Sequence, residues 1–139
     1  MNLAFFLTPV ARVECLEVRS IVAEAVRTMR RHRFSAVPLL DGHGRYVGTL
    51  TEGDLLFYLA DTGAGGETAA LSQVPRRAEH QAVGVDTDIR QLLAVAADQN
   101  FVPVVDSRGV LMGIVTRKAI LAQCERLLAE HGLLPAPSH

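Results

Sequence analysis

Apolar residues at 21/22, 25/26 and 29 recur at the spacing of one helix face, a stripe that runs through SIVAEAVRTMRRHR. A second stripe, at 89, 92/93 and 96 in DIRQLLAVAADQN, has the same form. Each is followed by a short apolar run, AVPLL from Ala36 and FVPVV from Phe101, with a proline near its start where a missing N–H does least harm to a strand. The Asp/Gly turns DGHG and DSRG come next, then YVGTL and LMGIV, so each half predicts a hairpin. Thr51 and Thr116 stand where N-caps belong, ahead of EGDLLFYLA and RKAILAQCERLLAEH. Short strand-like pieces, RVECLEV and AVGV, precede the two stripes. The predicted unit is β-α-β-β-α, written twice.

The two units share one gapless register. Ala36–Leu56 lies over Phe101–Leu121 at an offset of 65 residues, matching Pro38 with Pro103, Asp41 with Asp106, Gly44 with Gly109, Gly48 with Gly113 and Thr51 with Thr116. Ile21 precedes Pro38 by 17 residues and Ile89 precedes Pro103 by 14, so the second helix or its exit loop should be about three residues shorter. These boundaries divide the chain into a first repeat at 8–60, a linker at 61–73, a second repeat at 74–131 and a flexible tail at 132–139. The linker, DTGAGGETAALSQ, carries three of the eleven glycines, and the tail, GLLPAPSH, opens on a helix-ending glycine and contains two prolines.

Composition narrows the function classes. A chain of 139 residues, 49% apolar and 21% charged, suits one globular α+β domain or two half-domains with a shared core. Its formal net charge of −1 argues against a nucleic-acid or anionic-membrane binder. No apolar run reaches the ~20 residues that span a bilayer. The opening MNLAFFLTPV has too short an apolar run for a secretory core and no positive residue ahead of it, so a cytoplasmic location is expected. Cys15 and Cys124 lack ligand spacing and are expected as buried or half-buried thiols of a reducing compartment. The histidines (32, 43, 80, 131, 139) show no metal spacing either. With no nucleophile elbow, P-loop or GxGxxG, no catalytic residue, metal or required cofactor is expected. The basic run RTMRRHR and the pair Arg76/Arg77 read as solvated surface, with a phosphate- or acid-facing patch as the alternative.

The stretches VPLLDGHGRYVGTLTEGDLL and VPVVDSRGVLMGIVTRKAIL, in register, resemble the repeats of a tandem cystathionine-β-synthase (CBS) domain pair, a Bateman module, over residues 8 to 131. The chain is most similar to small stand-alone bacterial CBS pairs that bind cyclic di-AMP. The resemblance implies two repeats packed with pseudo-two-fold symmetry, two clefts between them, a homodimer, and an adenosyl ligand: cyclic di-AMP, AMP, ADP, ATP or S-adenosylmethionine. It also implies a regulated protein partner, which the sequence does not identify.

The family pattern assigns phosphate to its threonine and ribose to its aspartate, and Gly48-x-x-Thr51-x-x-Asp54 fits it. The same two residues also read as an ordinary capping box. At the second copy Ala119 replaces the carboxylate and Thr116, Arg117 and Lys118 follow one another. Cations in the first helical turn oppose the macrodipole, which suggests a phosphate clamp, with a solvated helix start as the alternative. By this resemblance one cleft comprises Arg12, Val13, Glu14, Phe34, Ser35, Ala36 and Val37 with Thr116, Arg117 and Lys118. Phe34 there is either an adenine stack or a core aromatic. The other cleft comprises Thr51 and Asp54 with Gln81, Ala82, Val83, Asn100, Phe101 and Val102. The expected function is a non-catalytic sensor of an adenine nucleotide, cyclic di-AMP preferred. The alternatives are an AMP, ATP or S-adenosylmethionine sensor using Asp54, or a ligand-free dimerisation module.

Overall fold

A computed structural model describes residues 2–132; of the expected tail 132–139, only Gly132 lies within the described residues. Both repeats fold as their patterns predict. The first contributes β2 (Leu16–Glu17), α1 (Val22–His32), β3 (Ala36–Leu40), β4 (Tyr46–Thr51) and α2 (Glu52–Thr62). The second contributes β5 (Val83–Gly84), α3 (Ile89–Ala96), β6 (Phe101–Val105), β7 (Leu111–Thr116) and α4 (Arg117–Glu130). Helix α3 has 8 residues against 11 in α1, so the missing three come from the helix itself.

Within each half a parallel pair and an antiparallel hairpin make the sheet, ordered β2-β3-β4 in one and ending β7-β6-β5 in the other. The first strands are far shorter than RVECLEV and AVGV suggest. Strand β2 pairs only with Leu39 and Leu40, and β5 only with Val104 and Val105. Pro38 and Pro103 therefore sit one residue before the parallel ladder begins, which is where a strand tolerates proline. Before β2, the chain leaves the sheet through a 3₁₀ turn at Val10–Arg12, opening a gap beside Pro38.

A strand that the hydrophobic pattern does not reveal straddles the expected start of the first repeat at residue 8. Leu7–Pro9 (β1) runs antiparallel to β7 and makes the second sheet four-stranded. Leu3 and Phe6, on the 3₁₀ turn before it, are buried with Val83, Leu92, Val102, Val104 and Val115. The apolar start of the chain thus packs into the core of the second half. Gly113 permits this, since a Cβ there would strike the Thr8 carbonyl oxygen.

The segment expected as a linker is structured. Leu71 is wholly buried and Val74 nearly so, both in the first core with Leu16, Val22, Val37, Leu39 and Leu50. The Leu71 amide donates to Ser20 O at 2.8 Å and the Val22 amide to Ala69 O at 2.9 Å. Its glycines shape turns, while its Leu71, with Val74 just beyond it, anchors the segment to the first core. At the far end, the two hairpin tips join: Tyr46 N donates to Gly109 O at 2.9 Å and Leu111 N to Gly44 O at 3.0 Å. Cys15 is half-buried as expected, but Cys124 is exposed on α4. Helix α4 buries no residue completely; it meets the second core through the partly buried Ile120, and Cys124 stands at an exposed position.

Candidate functional site

A cleft of about 360 Å³ opens where the 3₁₀ turn before β2, the exit of α1, and strands β6 and β7 converge. Both repeats contribute to its walls. Arg12, Val13, Glu14, Arg33, Phe34, Ser35 and Ala36 come from the first, and Asn100, Phe101, Ile114 and Thr116 from the second. Seven of the ten residues expected in the cation cleft line this space together: Arg12, Val13, Glu14, Phe34, Ser35, Ala36 and Thr116.

Phe34 is 41% exposed, so it is a wall of the cleft rather than a core aromatic. Its ring stacks on His32 with centroids 5.4 Å apart and planes within 13°. His32 Nε2 in turn lies 3.8 Å from a carboxylate oxygen of Glu14, another lining residue. Next to Glu14 in sequence, the Cys15 thiol is pushed up to about 11, first by burial and then by the Glu14 charge, which favours the protonated thiol at neutral pH. Arg33 holds α1's C-terminal position with φ 57, a left-handed conformation usual for glycine, and turns the chain sharply into Phe34 and Ser35. Its side chain was indistinguishable in sequence from the other arginines of RTMRRHR. Only the reversal at the helix end separates it from them.

Three expected residues are placed elsewhere. Val37 is buried in the first core. Arg117 turns back on the second repeat: its Nε donates to Ala96 O at 3.0 Å and its Nη2 to Ala97 O at 2.8 Å. Those carbonyls are the unpaired end of α3, so the cation caps one helix while starting another, which offsets its unfavourable place on α4's dipole. Lys118 is exposed and does not line the cleft. Thr116 accepts from the Ala119 amide at 3.1 Å, the N-cap that its position predicts. The cations that do face the cleft are Arg12 and Arg33.

The residues expected in the Asp54 cleft are dispersed. Asn100 and Phe101 line the first cleft, while Val83 and Val102 belong to the second core. Asp54 is only 3% exposed, and both carboxylate oxygens are engaged. Oδ2 accepts from Thr51 N and Oδ1 from Arg77 N, each at 2.9 Å. The Thr51 hydroxyl accepts from Asp54 N at 3.1 Å, completing a capping box. The Arg77 guanidinium lies over the Phe57 ring, 3.7 Å from its centroid. Gln81 lines two smaller cavities instead, and Ala82 is half-buried beside it.

Comparison with known proteins places this architecture among others. A family model for the CBS domain matches residues 12–61 and again 72–126. Structures of similar fold include CbpB in complex with c-di-AMP, at TM-score 0.88 and 21% identity over 95% of this chain and 89% of that one. The CbpB protein of Listeria monocytogenes in complex with c-di-AMP aligns at TM-score 0.77 and 21% identity, covering 92% of this chain and 98% of that one. CBSX2 in complex with AMP aligns at TM-score 0.74 and 20% identity, covering 91% and 97%. No curated protein matches the sequence.

Proposed function

Since this chain belongs to the CBS domain family and carries the domain twice, we propose that it is a non-catalytic regulatory sensor that takes an adenine nucleotide, cyclic di-AMP before others, into the cleft between its halves. The observation that carries this reading is the 360 Å³ space with walls from both repeats. Its volume lies in the ~300–1,000 Å³ range of small-molecule sites. Phe34 offers a ring for a purine, the Thr116 hydroxyl stands at a helix start, and Arg12 and Arg33 supply positive charge for phosphate. Glu14 is the one lining carboxylate and can accept from an exocyclic amine.

The preference for cyclic di-AMP draws on the likeness to CbpB, which is greater than that to the AMP-bound CBSX2. A ligand touching both repeats favours the packing in which both walls are in reach, and so shifts the population of states offered to a protein partner. The shift can be no larger than the difference in ligand affinity between those states. The reading through Asp54 has less to draw on, because that carboxylate is only 3% exposed and its expected partners Val83 and Val102 are buried in the second core.

Titration calorimetry at physiological salt against cyclic di-AMP, AMP, ATP and S-adenosylmethionine tests the proposal. Cyclic di-AMP is expected to bind most tightly. Arg12→Ala should weaken it about 10- to 100-fold, the equivalent of one or two charge-assisted hydrogen bonds. Silence from all four ligands, with the protein folded and nucleotide-free, would overturn it.

A further inference from the structure

His32 bears on two walls of the cleft without lining it. It is the last residue of α1, and its ring lies flat on that of Phe34, with centroids 5.4 Å apart and planes within 13°. Its Nε2 is 3.8 Å from Glu14 Oε2, and both side chains are partly exposed. Phe34 and Glu14 face the nucleotide space, whereas the imidazole stands behind them. One side chain therefore supports both the aromatic and the acidic member of the wall. The second repeat has no such arrangement. At the 65-residue register Ala97 stands in place of His32 and Gln99 in place of Phe34, and the Gln99 side chain is bound to the Gln81 backbone.

The charges around this ring are ones that a proton rebalances. Arg12, Glu14 and Arg33 are the charged residues of the cleft wall, and the second repeat brings only Asn100, Phe101, Ile114 and Thr116 to it. On α1 itself Arg30 and Arg31 precede His32. The Cys15 thiol beside Glu14 stays protonated at neutral pH. Among the described residues, Glu14 is the one carboxylate within ion-pair reach of the imidazole. Histidine changes its charge between about pH 5 and 8. Neutral His32 leaves Glu14 as an unpaired carboxylate at a site for phosphates. Charged His32 pairs with Glu14 and suits the negative end of the α1 dipole. The nearby arginines oppose that charge, and a bound phosphodiester, by neutralising Arg12 and Arg33, relieves the opposition.

We propose that His32 is a positioning residue for the nucleotide, and that its protonation and nucleotide binding favour one another. The proposal rests on the nucleotide reading above. In its charged form His32 fixes Glu14 while it backs the Phe34 ring. The coupling is reciprocal, so the ligand takes up protons as it binds, and affinity falls as pH rises through the range in which histidine loses its charge. Because the Glu14 pair is partly exposed, the effect is modest, about threefold in affinity.

Cyclic di-AMP suits the test, since its phosphodiesters keep their charge throughout this range. Calorimetry in two buffers of different ionisation enthalpy should show proton uptake by the wild-type chain, with binding about threefold tighter at pH 6 than at pH 8. His32→Gln, which cannot take a charge, should abolish the uptake and bind at both pH values as the wild type does at pH 8. His32→Arg, always charged and flat enough to stack, should bind at both as the wild type does at pH 6. Position 32 is exposed, so both variants should keep the wild-type melting temperature. A pH dependence that survives in both variants would overturn the proposal and leave the nucleotide reading intact, whereas absence of binding would overturn both. In ligand-free protein, the Phe34 ring resonances should move between pH 5 and 8 and stay fixed in His32→Gln. Wild-type resonances that do not move would overturn the positioning role whether or not a nucleotide binds.

Discussion

Arg33 and Arg117 show how two cations of like appearance come to opposite uses. Arg33 sits at the mouth of the cleft in a left-handed conformation, whereas Arg117 is bound to the carbonyls that end α3. Arg33→Gly should keep or improve the helix end, because glycine takes positive φ without strain, and should lower nucleotide affinity about 10-fold. Arg117→Ala should do the reverse, costing about 1–2 kcal/mol of stability and leaving affinity within about twofold. Urea melts and calorimetry on the same preparations distinguish the pair; loss of affinity in Arg117→Ala alone would return the phosphate clamp to that residue. Sequence could not have ranked these two. The spacing marks Arg117 as unusual at a helix start, but the partner that explains it lies 20 and 21 residues upstream.

At the scale of elements, the N-terminal strand and the linker are the parts whose role depends on something distant. Strand β1 exists because β7 offers an edge and because Gly113 lets the Thr8 carbonyl approach. Gly113→Ala should push β1 off, partly exposing Leu3 and Phe6, and cost about 2–4 kcal/mol, within the range for burying those side chains or forcing strain on them. A urea midpoint unchanged by the substitution would mean that β1 adds no stability. The helices and hairpins of both repeats were legible in advance because their information is local: a stripe, a turn, a cap. Strand β1 has three residues and no alternation to show, and Leu71 is one apolar residue in a glycine-rich stretch. Neither carries a periodic signal.

The whole molecule is joined at its hairpin tips, where each repeat repeats one acidic device. Asp41 Oδ1 accepts from His43 N at 2.8 Å and Arg45 N at 2.9 Å; Asp106 Oδ1 accepts from Arg108 N at 2.8 Å and Val110 N at 3.0 Å. The amides of Arg45 and His43 hold the Asp41 carboxyl below the usual carboxylate range. Burial acts to raise Asp106, but the amides of Arg108 and Val110 outweigh it and its carboxyl also lies low. A carboxyl depressed in the folded state contributes its full stabilisation above its ordinary value, near pH 4, and loses it as pH falls through the folded value. Stability should therefore decline below about pH 4, more shallowly in the Asp41→Asn/Asp106→Asn double variant, whose amides still accept the same bonds. Urea midpoints measured from pH 2.5 to 7 check this, and parallel curves for the two proteins would remove the tips from the account of acid sensitivity.

The sequence by itself determined the doubled β-α-β-β-α unit, its register and both threonine caps, because periodicity, turn chemistry and repetition are properties of neighbouring residues; the residues that line the cleft were expected only from the family resemblance. Tertiary structure decided which cations face the cleft, that Asp54 is occupied by Thr51 and Arg77, and that Gln99 bridges to Gln81. Those outcomes depend on hydrogen-bond partners brought together by the fold, because a side chain drawn to a distant backbone group is held away from the place its sequence position suggests.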